Sequence, residues 1–323
     1  MGDLKIFSGN ANRPLALGVC KYLGVPLGHA MVGTFKNGET RVKIEQHVRG
    51  ADVFVIQPTS SPSDHHIMEL LIMIDALRRA SADRITAVIP YYAYAKQEKK
   101  AAGREPISAK LMANLIATAG ADRVIAVDLH APAIQGFFDI PVDHLTAIPI
   151  LADLLNMQNI GDVVVVSPDS GGVSRANEFR YRINADLAII AKHRPEPDVA
   201  EVLEMVGDVR GRTAVIVDDM ISTGGTLEEA ADVLLARGAK SVMAYAVHPI
   251  MADNACELIR RSKLERVVVT NTIQLPDSCK DHKIIIEPID WLIGEAIRRT
   301  HEGSSISTLF QAPRFRQEPL IPQ

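Results

Sequence analysis

The chain is poor in cysteine, with three in 323 residues. Cys20, Cys256 and Cys279 form an odd, scattered set without metal-ligand spacing, which predicts buried or free thiols in a reducing compartment. Neither sign of charge is in excess. Lys and Arg total 35 against 39 Asp and Glu, and the net charge of −4 gives no electrostatic case for nucleic acid. Basic clusters at Lys96–Lys100 and Arg260–Lys263 are short. No uncharged apolar run is long enough to span a bilayer, and the amino-terminal MGDLKIFSGN lacks a secretory apolar region. The expected location is therefore the cytoplasm, with no membrane partner. What remains is 47% hydrophobic and 23% charged residues, the balance of a soluble globular protein with one large or two medium domains.

One stretch organises the rest. Thr213–Val217 is a short β-branched run and reads as a buried strand. Asp218 and Asp219 follow at its carboxyl end, then Ser222, Thr223, Gly224, Gly225 and Thr226. Leu227, Ala230, Ala231, Leu234 and Leu235 make a helical stripe that Gly238 stops, and Ser241–Val247 reads as the next strand. This is a strand–loop–helix–strand unit of a parallel sheet. Free N–H groups at a helix start, beside Gly and Thr, can cradle a phosphate, and two carboxylates can accept hydrogen bonds from a vicinal diol. The pair fits a sugar phosphate. No Lys follows the second glycine, which excludes a Walker loop. The plainer alternative is an ordinary turn with an Asp pair as solvated caps.

Strands are expected at Lys5–Ser8, Ala30–Phe35, Thr40–Ile44, Asp52–Gln57, Arg84–Pro90 and Arg123–Asp128, with Lys36–Glu39 as a hairpin turn. Helices are expected over Pro14–Leu23, from an Asp64 cap to Ala80, and over Ser108–Ala119. Tyr94–Arg104 reads as a loop and 131–146 as irregular. A helix near Pro149–Leu155 starts the second half, followed by strand Val163–Ser167, a helix to Tyr181, strand Ala188–Ala191 and a charged loop Lys192–Pro197. After the central unit come strands Arg266–Thr270 and Lys283–Ile286, a helix Ile289–Thr300 and a polar tail, 311–323.

The halves read as a duplication. Val48-Arg49-Gly50 and Val209-Arg210-Gly211 precede strands at an offset of 209 − 48 = 161. Phe7-Ser8-Gly9-Asn10 and Val166-Ser167-Pro168-Asp169 match at 166 − 7 = 159. Where the second half carries Asp218-Asp219, the first is expected to carry Pro58-Thr59, so only the second should hold a sugar phosphate.

Other strand ends carry chemistry. Asp128 and His130 close one strand, with Asp139, Asp143 and His144 soon after. An Asp-x-His pair can serve a divalent cation, directly or through water, or His130 can touch a nucleotide; the alternative is a structural histidine. Asp169 before Gly171-Gly172 is a second metal candidate or a helix N-cap. Lys192-His193-Arg194 could cover a polyphosphate, and Lys96–Lys100, after Tyr91, Tyr92 and Tyr94, could meet a nucleotide. The alternative for each is a solvated charge run.

Taken together the chain resembles the ribose-phosphate diphosphokinase, or phosphoribosyl pyrophosphate synthetase, family. The matching residues are FSGN 7–10, NGE 37–39, REPISAKLMANL 104–115, DLH 128–130, QGFFDIPVD 135–143, SPDSGG 167–172, KHR 192–194 and VDDMISTGGT 217–226. The resemblance implies an α/β fold of two tandem phosphoribosyltransferase-type domains, each a mainly parallel sheet flanked by helices. They span 1–146, lacking a sugar-phosphate site, and 147–310. It implies transfer of the β,γ-diphosphoryl group of ATP to the anomeric hydroxyl of ribose 5-phosphate. Asp218, Asp219, Ser222, Thr223, Gly224, Gly225 and Thr226 would hold ribose 5-phosphate, with Arg194 nearby. Lys192 and Arg194 would stabilise the transferring group. Asn37, Gly38, Glu39, Lys96, Gln97 and His130 would meet ATP, the hairpin residues from a neighbouring subunit of a hexamer built from dimers. His130 and Asp169 would serve Mg2+. Arg49, Ser81, Arg84, Ser305 and Ser307 match a regulatory phosphate or ADP site.

Several positions depart from the family pattern. Asn37 replaces an Asp, Lys96-Gln97-Glu98 an Arg-Gln-Asp, Ala133 a Gln and Ser222 an Asp. Lys for Arg forfeits a bidentate fork. Two rival functions are a base-salvage phosphoribosyltransferase, against which the duplication and the DLH and KHR stretches argue, and a non-catalytic regulatory homologue, against which the retained Lys192, Arg194, Asp218 and Asp219 argue.

Overall fold

The structure, a computed structural model, describes residues 2–193 and 202–310. They form two compact units. The first comprises the chain to Thr146, Thr272–Gln274 and the chain from Pro288 onward; the second comprises Ala147–Asn271 and Leu275–Glu287. A contiguous division at 146/147 therefore does not describe them, because the last helix belongs with the first unit.

The first unit begins β1 (Leu4–Ser8), α1 (Arg13–Leu23), β2 (Ala30–Thr34), β3 (Thr40–Ile44), β4 (Asp52–Ile56), α2 (Ser63–Arg79), β5 (Arg84–Ile89), α3 (Ser108–Ala119), β6 (Arg123–Val127) and β7 (Val142–Leu145). Among the described residues its sheet runs β1-β4-β5-β6-β7, every neighbour parallel, and β2–β3 is a separate antiparallel hairpin. β4 is buried throughout, as a central strand covered on both faces must be. Asn12 caps α1 by accepting the Leu15 N–H at 3.2 Å. Asp64 is not the cap of α2: Pro62 holds that position and Asp64 sits in the first turn, accepting the Tyr94 hydroxyl. Residues 131–146 are more regular than expected, with a 3-10 turn at Pro132–Phe137 and β7 pairing from Val124↔Val142. Polar Asp143 and His144 inside so short a strand hide its pattern.

The second unit contains α4 (Ile148–Met157), β8 (Val163–Ser167), α5 (Val173–Ile183), β9 (Asp186–His193), β10 (Val202–Val206), β11 (Thr213–Ile221), α6 (Gly225–Ala236), β12 (Ser241–Pro249), α7 (Ala255–Arg261), β13 (Arg266–Thr270) and β14 (Ile284–Glu287). Its sheet runs β10-β9-β8-β11-β12-β13-β14, parallel except for the edge pair β9–β10. Lys192 and His193 are thus not loop residues: they end β9, and Lys192 pairs with Leu203. The unit's core gathers Val164, Val166, Ile216, Leu234, Val267 and their neighbours.

Cysteine usage also differs from expectation. Cys256 and Cys279 are joined in a disulfide, because α7 and the 3-10 turn Asp277–Cys279 bring their Cα atoms to 5.2 Å; Cys20 remains a buried free thiol. The cysteines therefore no longer support a reducing compartment.

The chain's last helix, α8 (Asp290–Glu302), packs on α1 in the first unit. Tyr22 donates its hydroxyl to Glu295 at 3.0 Å, and a Cβ at Gly294 would lie 2.5 Å from the Tyr22 ring, so only glycine permits that approach.

The duplication is legible in three dimensions. Gly50 and Gly211 both adopt φ 72°, one residue after the matched arginines. Gly50 N–H reaches Ser81 O at 2.9 Å and Gly211 N–H reaches Gly238 O at 2.8 Å. β4 and β11 then start at Asp52 and Thr213, both at offset 213 − 52 = 161. This register places Gln57 and Pro58 opposite Asp218 and Asp219, one residue earlier than expected. Gln57 is fully buried, and its amide donates to Glu69 at 2.7 Å while its oxygen accepts the Ala11 N–H. Asn10 also binds Glu69, at 2.6 Å. Side chains of the first unit thus fill the place that an acidic pair takes in the second.

Candidate active site

β11 extends to Ile221, beyond the predicted Val217, so Asp218 and Asp219 lie within the strand, with Asp218 opposite Ala246 of β12. The following loop turns at Gly224, φ 83°, and α6 starts at Gly225. Glycine suits that left-handed position, and a Cβ there would meet Leu258 of α7 at 3.5 Å. Leu227 and Glu228 N–H groups bond Gly224 O at 3.1 Å, which tightens the helix start. Met251 N–H donates to Ile221 O and Ala252 N–H to Ser222 O, fixing the loop from behind. The N–H groups of Gly225 and Thr226, the first two of α6, favour an anion. Ser222 is half-buried and Thr223 and Thr226 are exposed, so both hydroxyl threonines face solvent.

The two carboxylates differ in exposure, 22% for the Asp218 side chain and 4% for Asp219. Arg175 of α5, itself 16% exposed, puts one terminal nitrogen 3.2 Å from Asp218 Oδ1 and 3.5 Å from Asp219 Oδ1. The Asp219 N–H also donates to Asp218 Oδ1, at 2.8 Å. Burial first, and then the neighbouring Asp219 charge, push the Asp218 carboxyl up to about 7; Arg175 opposes both.

Asp169 Oδ1 accepts the Gly172 N–H at 2.8 Å, so it ties the turn that leads into α5. Lys192 lies at the end of β9, while Arg194 falls outside the described residues.

In the first unit the β2–β3 turn exposes Asn37, Gly38 and Glu39; Asn37 Oδ1 accepts the Glu39 N–H at 3.2 Å. A cavity of about 520 Å³ lies between Gly38, Glu39 and the α2 residues Asp64, His65 and Met68. Lys96 and Gln97 are exposed on a 3-10 turn, where Gln97 accepts the Ser108 hydroxyl at 2.6 Å. Half-buried His130 follows Asp128, whose φ is 38°. Thr146 Oγ1 holds the Asp128 carboxylate at 2.8 Å and His144 Nε2 accepts the Leu129 N–H. Asp143 pairs with Arg123 at 2.7 Å, a structural role, while exposed Asp139 lies 3.9 Å from Lys110. Among the described residues no group of three His, Cys, Asp or Glu could hold a metal by itself. His130 lies in the first unit and Asp169 in the second; a magnesium ion at either would be held largely by phosphates and water.

Of the residues matched to an effector site, Arg49 is exposed, and the Gly50–Ser81 backbone bond brings the Arg49 turn to Ser81. Arg84 forks onto both oxygens of Asp52, at 2.8 and 2.5 Å, and donates to Thr300 O. Ser305 and Ser307 hydroxyls lie 2.9 Å apart. A cavity of about 440 Å³ in the second unit surrounds Arg212 at the amino-terminal ends of β8 and β9, the sheet end opposite the acidic pair.

Residues 4–120 match the N-terminal domain of ribose phosphate pyrophosphokinase, and 194–311 the phosphoribosyl synthetase-associated domain. The chain is 53% identical over 308 residues to the ribose-phosphate pyrophosphokinase of Bacillus caldolyticus, covering 95% of this chain and 98% of that one. The Bacillus subtilis enzyme of the same name is 52% identical, over 95% and 97%. The chain belongs to the ribose-phosphate pyrophosphokinase family. The crystal structure of phosphoribosylpyrophosphate synthetase from Mycobacterium smegmatis superposes with a TM-score of 0.89 at 42% identity, covering 94% of this chain and all of that one. The family's two-domain α/β architecture is the one found here.

Sequence reasoning missed Arg175 and His144 as supports of the candidate residues. Arg175 stands three residues after Gly172, one turn into α5, and that helical position was its only local signal. His144 was noted as a neighbour of the cation candidates, and the structure gives it a backbone to hold instead.

Proposed function

We propose that this chain transfers the β,γ-diphosphoryl group of ATP to O1 of ribose 5-phosphate, giving 5-phosphoribosyl 1-diphosphate and AMP for nucleotide biosynthesis. The observation that carries the reading is the Asp218–Asp219 pair directly preceding the Ser222–Thr226 loop and the start of α6. The carboxylates accept hydrogen bonds from the ribose 2- and 3-hydroxyls, and the loop N–H and hydroxyl groups take the 5-phosphate. O1 attacks the β-phosphorus, the bond to the α-phosphate oxygen breaks, and AMP leaves. Asn37, Gly38, Glu39, Lys96, Gln97 and His130 bind ATP. Lys192 and Arg194 stabilise the charge on the transferring group, which is where protein catalysis of phosphoryl transfer acts. Mg2+, served by His130 and Asp169, neutralises phosphate charge when bound with the nucleotide.

The chain works in the cytoplasm as a hexamer built from dimers, with Asn37 and Glu39 offered to a neighbouring subunit. Inorganic phosphate and ADP act at Arg49, Ser81, Arg84, Ser305 and Ser307. No helix among the described residues is long and apolar enough to cross a membrane.

The test is AMP release from ATP and ribose 5-phosphate under varied magnesium and phosphate, repeated with other nucleoside triphosphates. AMP formed in step with 5-phosphoribosyl 1-diphosphate is the expected result. No AMP under any condition would mark a regulatory homologue, and base-dependent diphosphate release would mark salvage.

A further inference from the structure

We infer that Arg175 is a positioning residue for the sugar site: its guanidinium bridges Asp218 and Asp219, opposes the burial and mutual repulsion that favour their neutral forms, and orients them for the ribose diol. The inference rests on the proposed role of that pair. A vicinal diol brings two O–H donors, so each partner must accept. A carboxylate does so with either oxygen, whereas a protonated carboxyl presents a donor.

Two adjacent carboxylates with little exposure do not stay ionised unaided. Desolvation and mutual repulsion both favour the neutral form. Charged groups stand on the elements next to Asp218. Asp219 adjoins it on β11, and β12 contributes buried His248 two residues beyond Ala246, the partner of Asp218. α5 contributes Arg175 and Glu178, whose own carboxyl is raised by burial and lowered by Arg175. Asp169 lies on the turn before α5; its Oδ1 is 3.5 Å from a Cβ placed on Gly172, and Arg175 is 3.7 Å from the same point. Arg175 reaches both carboxylates.

The geometry also divides the labour on the oxygens. Asp218 Oδ1 takes both Arg175 and the Asp219 N–H, so it is saturated by the protein and fixes the side chain's rotamer. Arg175 is carried by the first turn of α5, a rigid element, and its side chain is nearly buried. Both contacts come from one terminal nitrogen, so a lysine in its place would keep the charge without the guanidinium's fixed geometry.

The experiment compares Arg175→Met and Arg175→Lys with the natural chain. Ribose 5-phosphate binding is measured by calorimetry at pH 6, 7.5 and 9, beside steady-state kinetics and thermal melts. Arg175→Met should weaken ribose 5-phosphate binding about tenfold or more at pH 7.5. The deficit should shrink towards pH 9, because the pair without its cation ionises only at higher pH. The effect should fall on KM for ribose 5-phosphate, with kcat at saturation changed less than about threefold. Arg175→Lys should restore the natural pH midpoint and part of the affinity, and it carries the comparison if the Met variant does not fold. Natural affinity in both variants, or a loss equal at all three pH values, would overturn the inference. Asp218→Asn with Asp219→Asn serves as the control. If that variant binds ribose 5-phosphate normally, the sugar-clamp reading itself fails; if it loses binding while Arg175→Met keeps it, only the role of Arg175 fails.

Discussion

His144 Nε2 accepts the backbone N–H of Leu129 at 2.9 Å. The bond needs an unprotonated Nε2, and burial holds the His144 imidazole below its ordinary value. A folded state that binds fewer protons than the unfolded chain loses stability as pH falls through the unfolded value, about 6.5 for histidine. Melting temperature should therefore fall between pH 7.5 and 5.5. His144→Leu should lower stability at pH 7.5 by about 0.5–1.5 kcal/mol and flatten that pH dependence. The variant should also raise KM for ATP, since the turn carrying His130 loses a tie. A parallel pair of melting curves across the pH range would count against this account.

Asp218→Asn with Asp219→Asn should raise KM for ribose 5-phosphate steeply or abolish turnover, as charge-assisted bonds are worth about 1.5–3 kcal/mol each. Stability should move the other way. Asp218 titrates at about 7 in the folded chain against an ordinary value of 3.8. The folded state thus holds the extra proton within that window, and stability falls as pH rises through it. Asp218→Asn should melt higher than the natural chain at pH 8 and gain less at pH 5. Calorimetric scans at both values check the sign.

Lys192→Ala should lower kcat by about 10²–10³-fold, the usual cost of one preorganised donor to a transferring group. KM for ribose 5-phosphate and the melting temperature should change little. Near-normal kcat would show that the lysine merely ends β9.

Arg49 and Arg84 should part company. Arg49 is exposed, so Arg49→Ala should weaken the response to inorganic phosphate at unchanged stability. Arg84 is already committed to Asp52, whose side chain is 5% exposed and also meets His301 at 2.8 Å. Arg84→Ala removes that fork, with Arg84 partly exposed and His301 still on Asp52, and should cost about 1.5–3 kcal/mol, the range for hydrogen bonds to a charged group. Phosphate titration beside a thermal melt separates the two.

Local signals were the readable ones. Val163–Ser167 and Arg266–Thr270 are continuous β-branched runs, and they fold as strands over those same residues. The loop at Ser222–Thr226 was readable because strand end, glycines and helix start are consecutive. β10 escaped because an edge strand with Glu204 at its centre carries no apolar run, and α7 because two turns rich in charge resemble a surface cluster. The Cys256–Cys279 bond joins residues 23 apart, and the Arg175–Asp218 contact spans 43. Such meetings depend on how helices pack on the sheet, which no window of sequence contains.

The place of α8 has a consequence for how the protein is made. Synthesis delivers a chain from its amino end, and units generally fold as they emerge. Here the earliest segment cannot be completed early. Until Asp290–Glu302 has been delivered, α1 lacks the helix that covers Tyr22 and that brings Asp290 against Gly18. Asp52 and Arg84 likewise wait for His301 and Thr300. The second unit, made later, ends at Glu287 and can close first. A nascent chain halted before Asp290 should therefore carry a finished second half and an open first half, the half that most needs protection from misassembly.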